Sequence, residues 1–90
     1  SKITLDILAS EVKLTPKYLS FLFQKETGQR LSTFIEEKKI NEAKNLLTYS
    51  EYSYSEISQS LSFSSQSYFI AVFKRNSGMT PKQYRTRYFQ

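Results

Sequence analysis

The fold is decided by the stretch Tyr68-Phe69-Ile70-Ala71-Val72-Phe73-Lys74-Arg75-Asn76-Ser77-Gly78-Met79-Thr80-Pro81, because its pattern also occurs earlier in the chain. Three pairs of identical residues lie 50 positions apart: Tyr18 and Tyr68, Phe23 and Phe73, and Gly28 and Gly78. Upstream of the stretch the offset is 49, as in Leu8 and Ile57, and one inserted residue near Ser65 reconciles the two offsets. The sequence therefore predicts two copies of one structural unit within 90 residues.

The first copy has the signals of two short helices joined by a tight turn. Thr15-Pro16 marks the start of one helix, because Thr caps the free N–H groups and Pro in the first turn has no N–H to leave unpaired. Gly28 is suited to end that helix in the left-handed conformation. Only Lys13 and Leu14 separate it from a preceding helix, which Thr4 is expected to cap. The apolar positions predicted for that preceding helix are Leu5, Leu8, Ala9 and Val12.

The second copy repeats these signals and continues into one more helix. Ser53-Tyr54-Ser55-Glu56 has the pattern of a capping box and starts a helix that runs through Leu61. A helix over 65–77 and a last helix over about 80–87 follow. Two helices that cross over such a short turn form a helix–turn–helix unit, and these units are commonest as readers of the DNA major groove.

A longer helix is predicted between the two copies, from Ser32 to about Thr48, with a length of roughly 25 Å. Its expected buried residues are Phe34, Ile35, Ala43, Leu46 and Leu47, and its expected solvated residues are Glu36, Glu37, Lys38, Lys39 and Lys44. The fold prediction is all-α, with about six helices in this chain. It places a first helix–turn–helix subdomain in 1–30, a linker helix in 31–50, and a second subdomain with a C-terminal helix in 51–90.

Helical periodicity separates a packing side from an outward side in the second helix of each copy. Apolar residues at i, i+3 and i+4 must face the core, so Phe23 and Phe73 are expected to be equivalent anchors. Tyr18 and Tyr68 are predicted to be half-buried structural residues. The outward residues, predicted to contact DNA bases, are Lys17, Ser20, Phe21 and Gln24 in the first copy and Gln66, Ser67, Ile70, Ala71 and Lys74 in the second.

These outward residues have chemistry that suits the major groove. Lysine donates to guanine acceptors, glutamine pairs with adenine, and apolar groups touch the thymine methyl. Phe21 leaves two alternatives open, since an outward Phe either contacts a base or packs on another part of a longer protein.

The charge of the chain favours an anionic partner. The formal net charge is +5 and the sequence pI is about 9.5. The charge is uneven: residues 1–30 have five basic and three acidic side chains, 31–53 have three and four, and 54–90 have five and one. Both predicted readers are therefore basic, a pattern that suits nucleic acid and that ribosomal and membrane-surface proteins share. The residues predicted to contact DNA phosphates are Lys25, Arg75, Lys82, Arg85 and Arg87.

Several classes of function lack the residues that they need. With no Cys and no His, thiolate or imidazole metal sites and thiol or imidazole catalysis are excluded. The sequence offers no nucleophile–base pair, metal set or phosphate loop, so we expect neither an enzyme nor a cofactor. No apolar run approaches the roughly 20 residues that span a bilayer, and the absence of cysteine favours a cytoplasmic protein.

With the two units placed, the chain resembles the DNA-binding domain of the AraC/XylS family of bacterial transcription regulators over nearly its whole length. The strongest matching segments are Ile57-Ser58 through Phe63, Gln66-Ser67-Tyr68-Phe69, Phe73-Lys74, Gly78-Met79-Thr80-Pro81 and Tyr84-Arg85. The first half adds Leu5, Ala9, Tyr18-Leu19, Phe23 and Glu26-Thr27-Gly28, and 39–47 is similar to the linker pattern of the family.

The resemblance implies seven helices, of which the first would precede Ser1, so this chain is expected to be a fragment. It also implies double-stranded DNA as partner, RNA polymerase as a partner of the full-length protein, and a separate part for effector sensing or dimerisation. Two departures concern the readers: Phe21 and Ala71 stand where the family often has Arg. Two more concern the turns, since Lys13 and Ser62 stand where the family usually has Gly and are predicted to adopt positive φ.

The predicted function is sequence-specific binding of double-stranded DNA by a bacterial transcriptional regulator located in the cytoplasm at the nucleoid. Two recognition helices, in 16–27 and 66–77, would enter successive major-groove segments. The alternative is a helical protein-interaction module within a larger regulator, with Phe21 and Ile70 as anchors. RNA binding fits the charge, but the aromatic residues do not form the stacking platform that single strands prefer.

Overall fold

Six helices and no strand occur in the residues that the computed structural model describes, 5–90. In chain order the helices are α1 (Leu5–Glu11), α2 (Pro16–Thr27), α3 (Leu31–Tyr49), α4 (Tyr54–Ser60), α5 (Gln66–Ser77) and α6 (Pro81–Tyr88). The pairs α1–α2 and α4–α5 are the two copies of the unit, and α3 connects them. The prediction of an all-α fold with two helix–turn–helix units is confirmed. The predicted cap at Thr4 lies outside the described residues.

The predicted caps form as the sequence indicates. The Thr15 side chain accepts a hydrogen bond from the Tyr18 N–H at 3.1 Å, and Gly28 ends α2 with φ of 76°. Ser53 and Glu56 form both hydrogen bonds of a capping box at the start of α4. Helix α3 differs, because it begins at Leu31 rather than at Ser32 and its N-cap, Arg30, makes no side-chain capping bond.

The turn of each unit has the same backbone hydrogen bonds. In the first, the Leu14 N–H donates to the Ala9 carbonyl and the Lys13 N–H to the Ser10 carbonyl; in the second, Phe63 donates to Ser58 and Ser62 to Gln59. This pair of bonds defines a Schellman motif, whose penultimate residue must be left-handed. Lys13 and Ser62 accordingly have φ of 59° and 63°, so the predicted positive φ is confirmed at both positions.

The main hydrophobic core lies in the second unit, where the C-terminal half of α3 packs against α4 and α5. Its fully buried members are Ile40, Ala43, Leu47, Ile57, Leu61, Phe69, Val72 and Phe73. Helix α6 covers this core, and the Tyr84 ring meets the Phe73 ring edge-on with centroids 5.5 Å apart. Phe73 is therefore the anchor that the sequence predicts.

The prediction that Phe23 is an equivalent anchor is wrong. Helix α2 has no fully buried residue, and Phe23 is only partly buried against the ring of Phe34, at 5.2 Å between centroids. The reason is that more helices cover α5 than α2. Helix α5 packs against α3, α4 and α6, whereas α2 packs mainly against α1 and the start of α3. The buried residues near the first unit are Ala9 of α1 and Leu31 and Ile35 at the start of α3.

Two smaller predictions also fail for reasons of packing. Val12 was expected on the apolar side of the first helix, but α1 ends at Glu11 and Val12 is 54% exposed. Three residues of α3 expected to be solvated are partly buried, namely Glu36, Lys39 and Lys44. The first two lie on the side of α3 that faces the second unit, where they contact its turn and α5.

Candidate nucleic-acid interface

Helix α2 presents most of its predicted reading residues to solvent. We call Lys17, Ser20, Phe21 and Gln24 the first reader face. Lys17, Phe21 and Gln24 are exposed and Ser20 is partly buried. The Thr15 cap leaves Lys17 in the first turn of the helix, where a recognition helix usually approaches the bases. This face therefore offers a cation, an amide and an aromatic ring side by side.

Helix α5 presents a different set, which we call the second reader face: Gln66, Ser67, Ile70, Ala71 and Lys74. All except Ile70 are exposed. The outward placement of Ile70 is wrong, because its side chain is partly buried and packs against the main core. Ile70 follows Phe69 directly and lies three residues before Phe73, so it borders the packing stripe of the helix.

The two reader faces are related by the 50-residue offset but differ in chemistry. Phe21 corresponds to Ala71, Gln24 to Lys74, and Lys17 to Ser67. The first face is aromatic at the position where the second has a single methyl group. The two faces therefore present different chemistry to a partner.

Phe21 is the largest exposed group on either reader face, with 58% of its surface accessible. Its ring stacks against Tyr18, with centroids 6.3 Å apart and an angle of 21° between the planes. The Lys25 ammonium lies 6.0 Å from the Phe21 centroid. These two neighbours hold the Phe21 ring while more than half of the side chain remains accessible.

The five cations predicted to contact phosphate have different surroundings. Lys25, Lys82 and Arg87 are exposed at the surface of α2 and α6. Arg75 is also exposed, but its guanidinium lies 2.9 Å from the Glu36 carboxylate. Arg85 is partly buried and donates three hydrogen bonds within the fold.

Arg85 serves as a cap for the C-terminal end of α3. Its Nε donates to the Leu47 carbonyl at 3.2 Å, and Nη2 donates to the Leu46 and Ser50 carbonyls at 3.4 and 3.1 Å. The last carbonyls of a helix have no partner within the helix, so a cation there can donate hydrogen bonds to them. Its positive charge also interacts favourably with the negative end of the helix dipole. Arg85 therefore holds α6 to α3, a structural role that the sequence did not predict, and its phosphate contact stays a prediction.

A polar link that the sequence did not predict joins α3 to the second reader. The Glu36 carboxylate accepts hydrogen bonds from Arg75 at 2.9 Å and from the Asn76 side-chain amide at 3.1 Å. Burial raises the pKa of the Glu36 carboxyl, but these hydrogen bonds and the charges of Arg75 and Lys39 outweigh burial and leave the pKa below its ordinary value. The ionised carboxylate thus fixes the C-terminal half of α5 against the linker.

Lys39 links α3 to the turn of the second unit. Its ammonium lies 3.4 Å from the Ser62 carbonyl and 5.1 Å from the centre of the Phe63 ring. Burial lowers the pKa of the Lys39 ammonium, and the Glu36 carboxylate partly offsets that effect. These contacts lie beside a cleft of about 350 Å³ between the two units. No sequence signal predicts them, because the partners are 23 residues apart.

Residues 5–90 lack both a membrane-spanning helix and a carboxylate cluster for a metal ion. None of the helices there is long and apolar enough to cross a membrane. Within the same residues, no three carboxylates lie close enough together to hold a metal ion.

Comparison with known proteins shows to which family the chain belongs. A family model described as a helix-turn-helix domain matches residues 8–87. The regulatory protein PocR of Salmonella typhimurium (strain LT2) is 37% identical over 81 residues, which cover 90% of this chain and 27% of PocR. The HTH-type transcriptional activator RhaR of Yersinia pseudotuberculosis (strain IP 31758) is 37% identical over 78 residues, which cover 87% of this chain and 27% of RhaR.

A solved structure agrees with the sequence comparison. The C-terminal domain of AraT, a response regulator from Geobacillus stearothermophilus, superposes with a TM-score of 0.83 and 28% sequence identity, covering 98% of this chain and 73% of that one. The chain spans only about a quarter of the length of PocR and RhaR, at 27% of each. It belongs to the AraC family of helix–turn–helix DNA-binding domains, which are parts of transcriptional regulators and do not constitute an enzyme family.

Proposed function

We propose that this chain binds double-stranded DNA sequence-specifically, with α2 and α5 in successive major-groove segments on one side of the duplex. The observation that carries the proposal is the equivalence of the two units. Both have the same turn hydrogen bonds, the same side-chain cap on the second helix, and an exposed polar face on that helix. A single continuous helix, α3, joins them.

The length of α3 limits how the two readers meet the duplex. Its 19 residues extend over about 28 Å at ~1.5 Å per residue. Successive major-groove segments on one side of B-DNA lie about 34 Å apart. A linker without a hinge holds the readers at a fixed separation, so the duplex bends to engage both, and specificity arises partly from the deformability of the DNA.

Phosphate contacts would come from the exposed cations beside the readers. Lys25 lies at the end of α2, and Lys82 and Arg87 lie on α6. Arg75 contributes less than a free arginine, because Glu36 neutralises part of its charge. With Lys17 and Lys74 on the reader faces, about five cations would meet phosphates or bases.

Salt dependence tests DNA binding itself. If about four phosphates are neutralised, by Lys25, Lys82, Arg87 and in part Arg75, affinity for a duplex should fall on the order of a hundredfold between 50 and 200 mM salt. Fluorescence anisotropy with a duplex selected from a random pool measures this. A flat response to salt, or equal binding to an unrelated neutral polymer, would refute the proposal.

Base reading is tested by comparing three lysines. Lys17→Ala and Lys74→Ala should change which bases are preferred, whereas Lys82→Ala should weaken selected and scrambled duplexes equally. Lys38→Ala is the matched control, since Lys38 is an exposed lysine of α3 that lies on neither reader face. Selection from a random pool with each variant gives the preferences. Identical effects of all three changes would mean that neither reader lysine contacts bases.

The rival function, a helical protein-interaction module, loses one of its two expected anchors. Ile70 packs against the core of its own unit, so Phe21 is the one large apolar side chain still exposed on the reader faces. Such a module would show no salt-dependent retention of DNA, so the same binding measurement separates the two functions.

For the complete protein, we propose a transcriptional regulator that acts in the cytoplasm at the nucleoid and has no catalytic activity of its own. RNA polymerase is the expected protein partner, and effector sensing or dimerisation would reside in another part of the polypeptide. Support comes from the relatives, since each is more than three times as long as the segment it shares with this chain. Crosslinking of the complete protein to polymerase at a bound promoter tests the partner.

A further inference from the structure

Phe21 is held in a position that its own fold does not explain. It lies in the middle of the outward face of α2, and 58% of its surface is exposed. A phenylalanine is more often buried in the core of a protein. Tyr18 stacks against the ring and the Lys25 ammonium lies over it at 6.0 Å from the centroid, yet more than half of the side chain remains accessible. The exposed part of the ring therefore adds little to packing and is available to a ligand.

The ring suits one feature of the major groove in particular. Thymine alone presents a methyl group there, and an aromatic side chain meets it by apolar contact, whereas it cannot pair with the donors and acceptors of the other base edges. Lys17 and Gln24 lie on the same face and supply polar contacts to neighbouring bases. A ring between two polar groups is a combination that reads a thymine flanked by other bases.

The second reader does not share this feature. Ala71 occupies the position equivalent to Phe21, and its side chain extends only one carbon from the backbone. A ring reaches several ångströms farther into the groove than a single methyl group. The two half-sites should therefore differ in their dependence on thymine, and this difference fixes the direction in which the domain lies on an asymmetric site.

We infer that Phe21 is a specificity-determining residue that recognises the 5-methyl group of a thymine in the half-site of α2. This inference rests on the proposed DNA binding and adds the chemical group that the first reader recognises.

The experiment replaces thymine by uracil, which removes the methyl group and leaves the base pair intact. The probe is a duplex selected from a random pool by the unaltered chain, with each thymine changed to uracil one at a time. Loss of one buried methyl contact should weaken binding roughly fourfold at one or two positions within one half-site. Phe21→Ala should abolish that response, and Phe21→Leu should keep most of it, because leucine retains an apolar contact.

Tyr49→Ala is the matched control, since Tyr49 is an aromatic residue at the end of α3 that is at least as exposed as Phe21 and lies on neither reader face. It should leave the uracil response unchanged. Thermal melting of each variant establishes that the fold is retained.

A flat uracil scan for the unaltered chain, or an equal scan for Phe21→Ala, would overturn the inference while leaving DNA binding in place. If Phe21→Ala changes neither affinity nor the scan, the ring serves a protein partner instead. Absence of salt-dependent binding to any duplex would instead refute the proposed function.

Discussion

Glycine at the turn of the second unit should make the protein more stable. Ser62 has φ of 63° in the Schellman motif between α4 and α5. A residue with a Cβ is strained by about 1 kcal/mol or somewhat more in this left-handed conformation, and glycine is not. Glycine also has more conformational entropy than serine in the unfolded chain. This entropy offsets roughly 0.4–1 kcal/mol of the gain from relieved strain. The net gain for Ser62→Gly should be some tenths of a kcal/mol to ~1 kcal/mol.

The contacts around this turn support a gain. The hydrogen bonds of Ser62 to Gln59 and Lys39 involve its backbone N–H and carbonyl, which glycine keeps. In a domain of this size, half a kcal/mol raises the Tm by roughly 2–4 °C. Thermal unfolding followed by circular dichroism measures the shift. Ser60→Gly is the control, because Ser60 is the last residue of α4 and glycine there should lower the Tm.

The outcome also tests the equivalence of the two units. Lys13→Gly should act in the same direction, since Lys13 has φ of 59° in the same motif, but it removes a positive charge as well. Base preference should stay unchanged in both variants, because neither turn residue belongs to a reader face. A lower Tm for Ser62→Gly would refute the reasoning, since it would mean that strain at this φ is smaller than the entropy that glycine gains on unfolding.

Two further predictions concern packing and charge. Phe73→Ala should lower the free energy of unfolding by about 3–5 kcal/mol, as expected for a fully buried ring. Phe23→Ala should lower it distinctly less, because Phe23 is only partly buried. Urea unfolding measures both losses, and equal losses would contradict the difference in packing. The pKa of Glu36 is lowered in the folded state, so its stabilising effect is present above the ordinary carboxyl pKa and is lost as pH falls through the folded value. Glu36→Gln should therefore be less stable than the unaltered chain at pH 7, and the difference should shrink as the pH falls through the folded pKa of Glu36. A difference that is the same at every pH would mean that the ion pair with Arg75 contributes nothing.

The features that sequence predicted correctly are the ones whose cause lies within a few residues. The caps at Thr15, Ser53 and Thr80 bond to N–H groups three residues ahead, and Gly28 and Gly78 end helices through their own backbone freedom. The positive φ of the two turns follows from the same local geometry, because a helix that must end within two residues has few conformations available.

The features that sequence could not predict have causes far apart in the chain. Glu36 and Arg75 are 39 positions apart, and Arg85 caps carbonyls between 35 and 39 positions earlier. Periodicity marks each of these residues only as polar and outward. Whether such a residue is solvated or paired depends on which helix packs beside it, and that is decided by tertiary structure. Ile70 shows the same limit at the edge of an apolar stripe, where a small helix rotation changes burial.

The unequal packing of the two units has a consequence for binding. Helix α5 is fixed by three buried side chains, by the Glu36 link and by α6, whereas α2 has no fully buried residue. Local stability follows the number of buried apolar contacts, so α2 should open at a lower free energy than α5. A reader that opens more easily must be ordered when it meets DNA, and that ordering reduces its net contribution to affinity. If the chain binds DNA as proposed, the second reader should therefore provide more of the net binding free energy, and Phe21 should give the first reader a base preference that the second lacks. The sequence repeat thus gives two units of one geometry whose packing and surface chemistry divide affinity and selectivity between them.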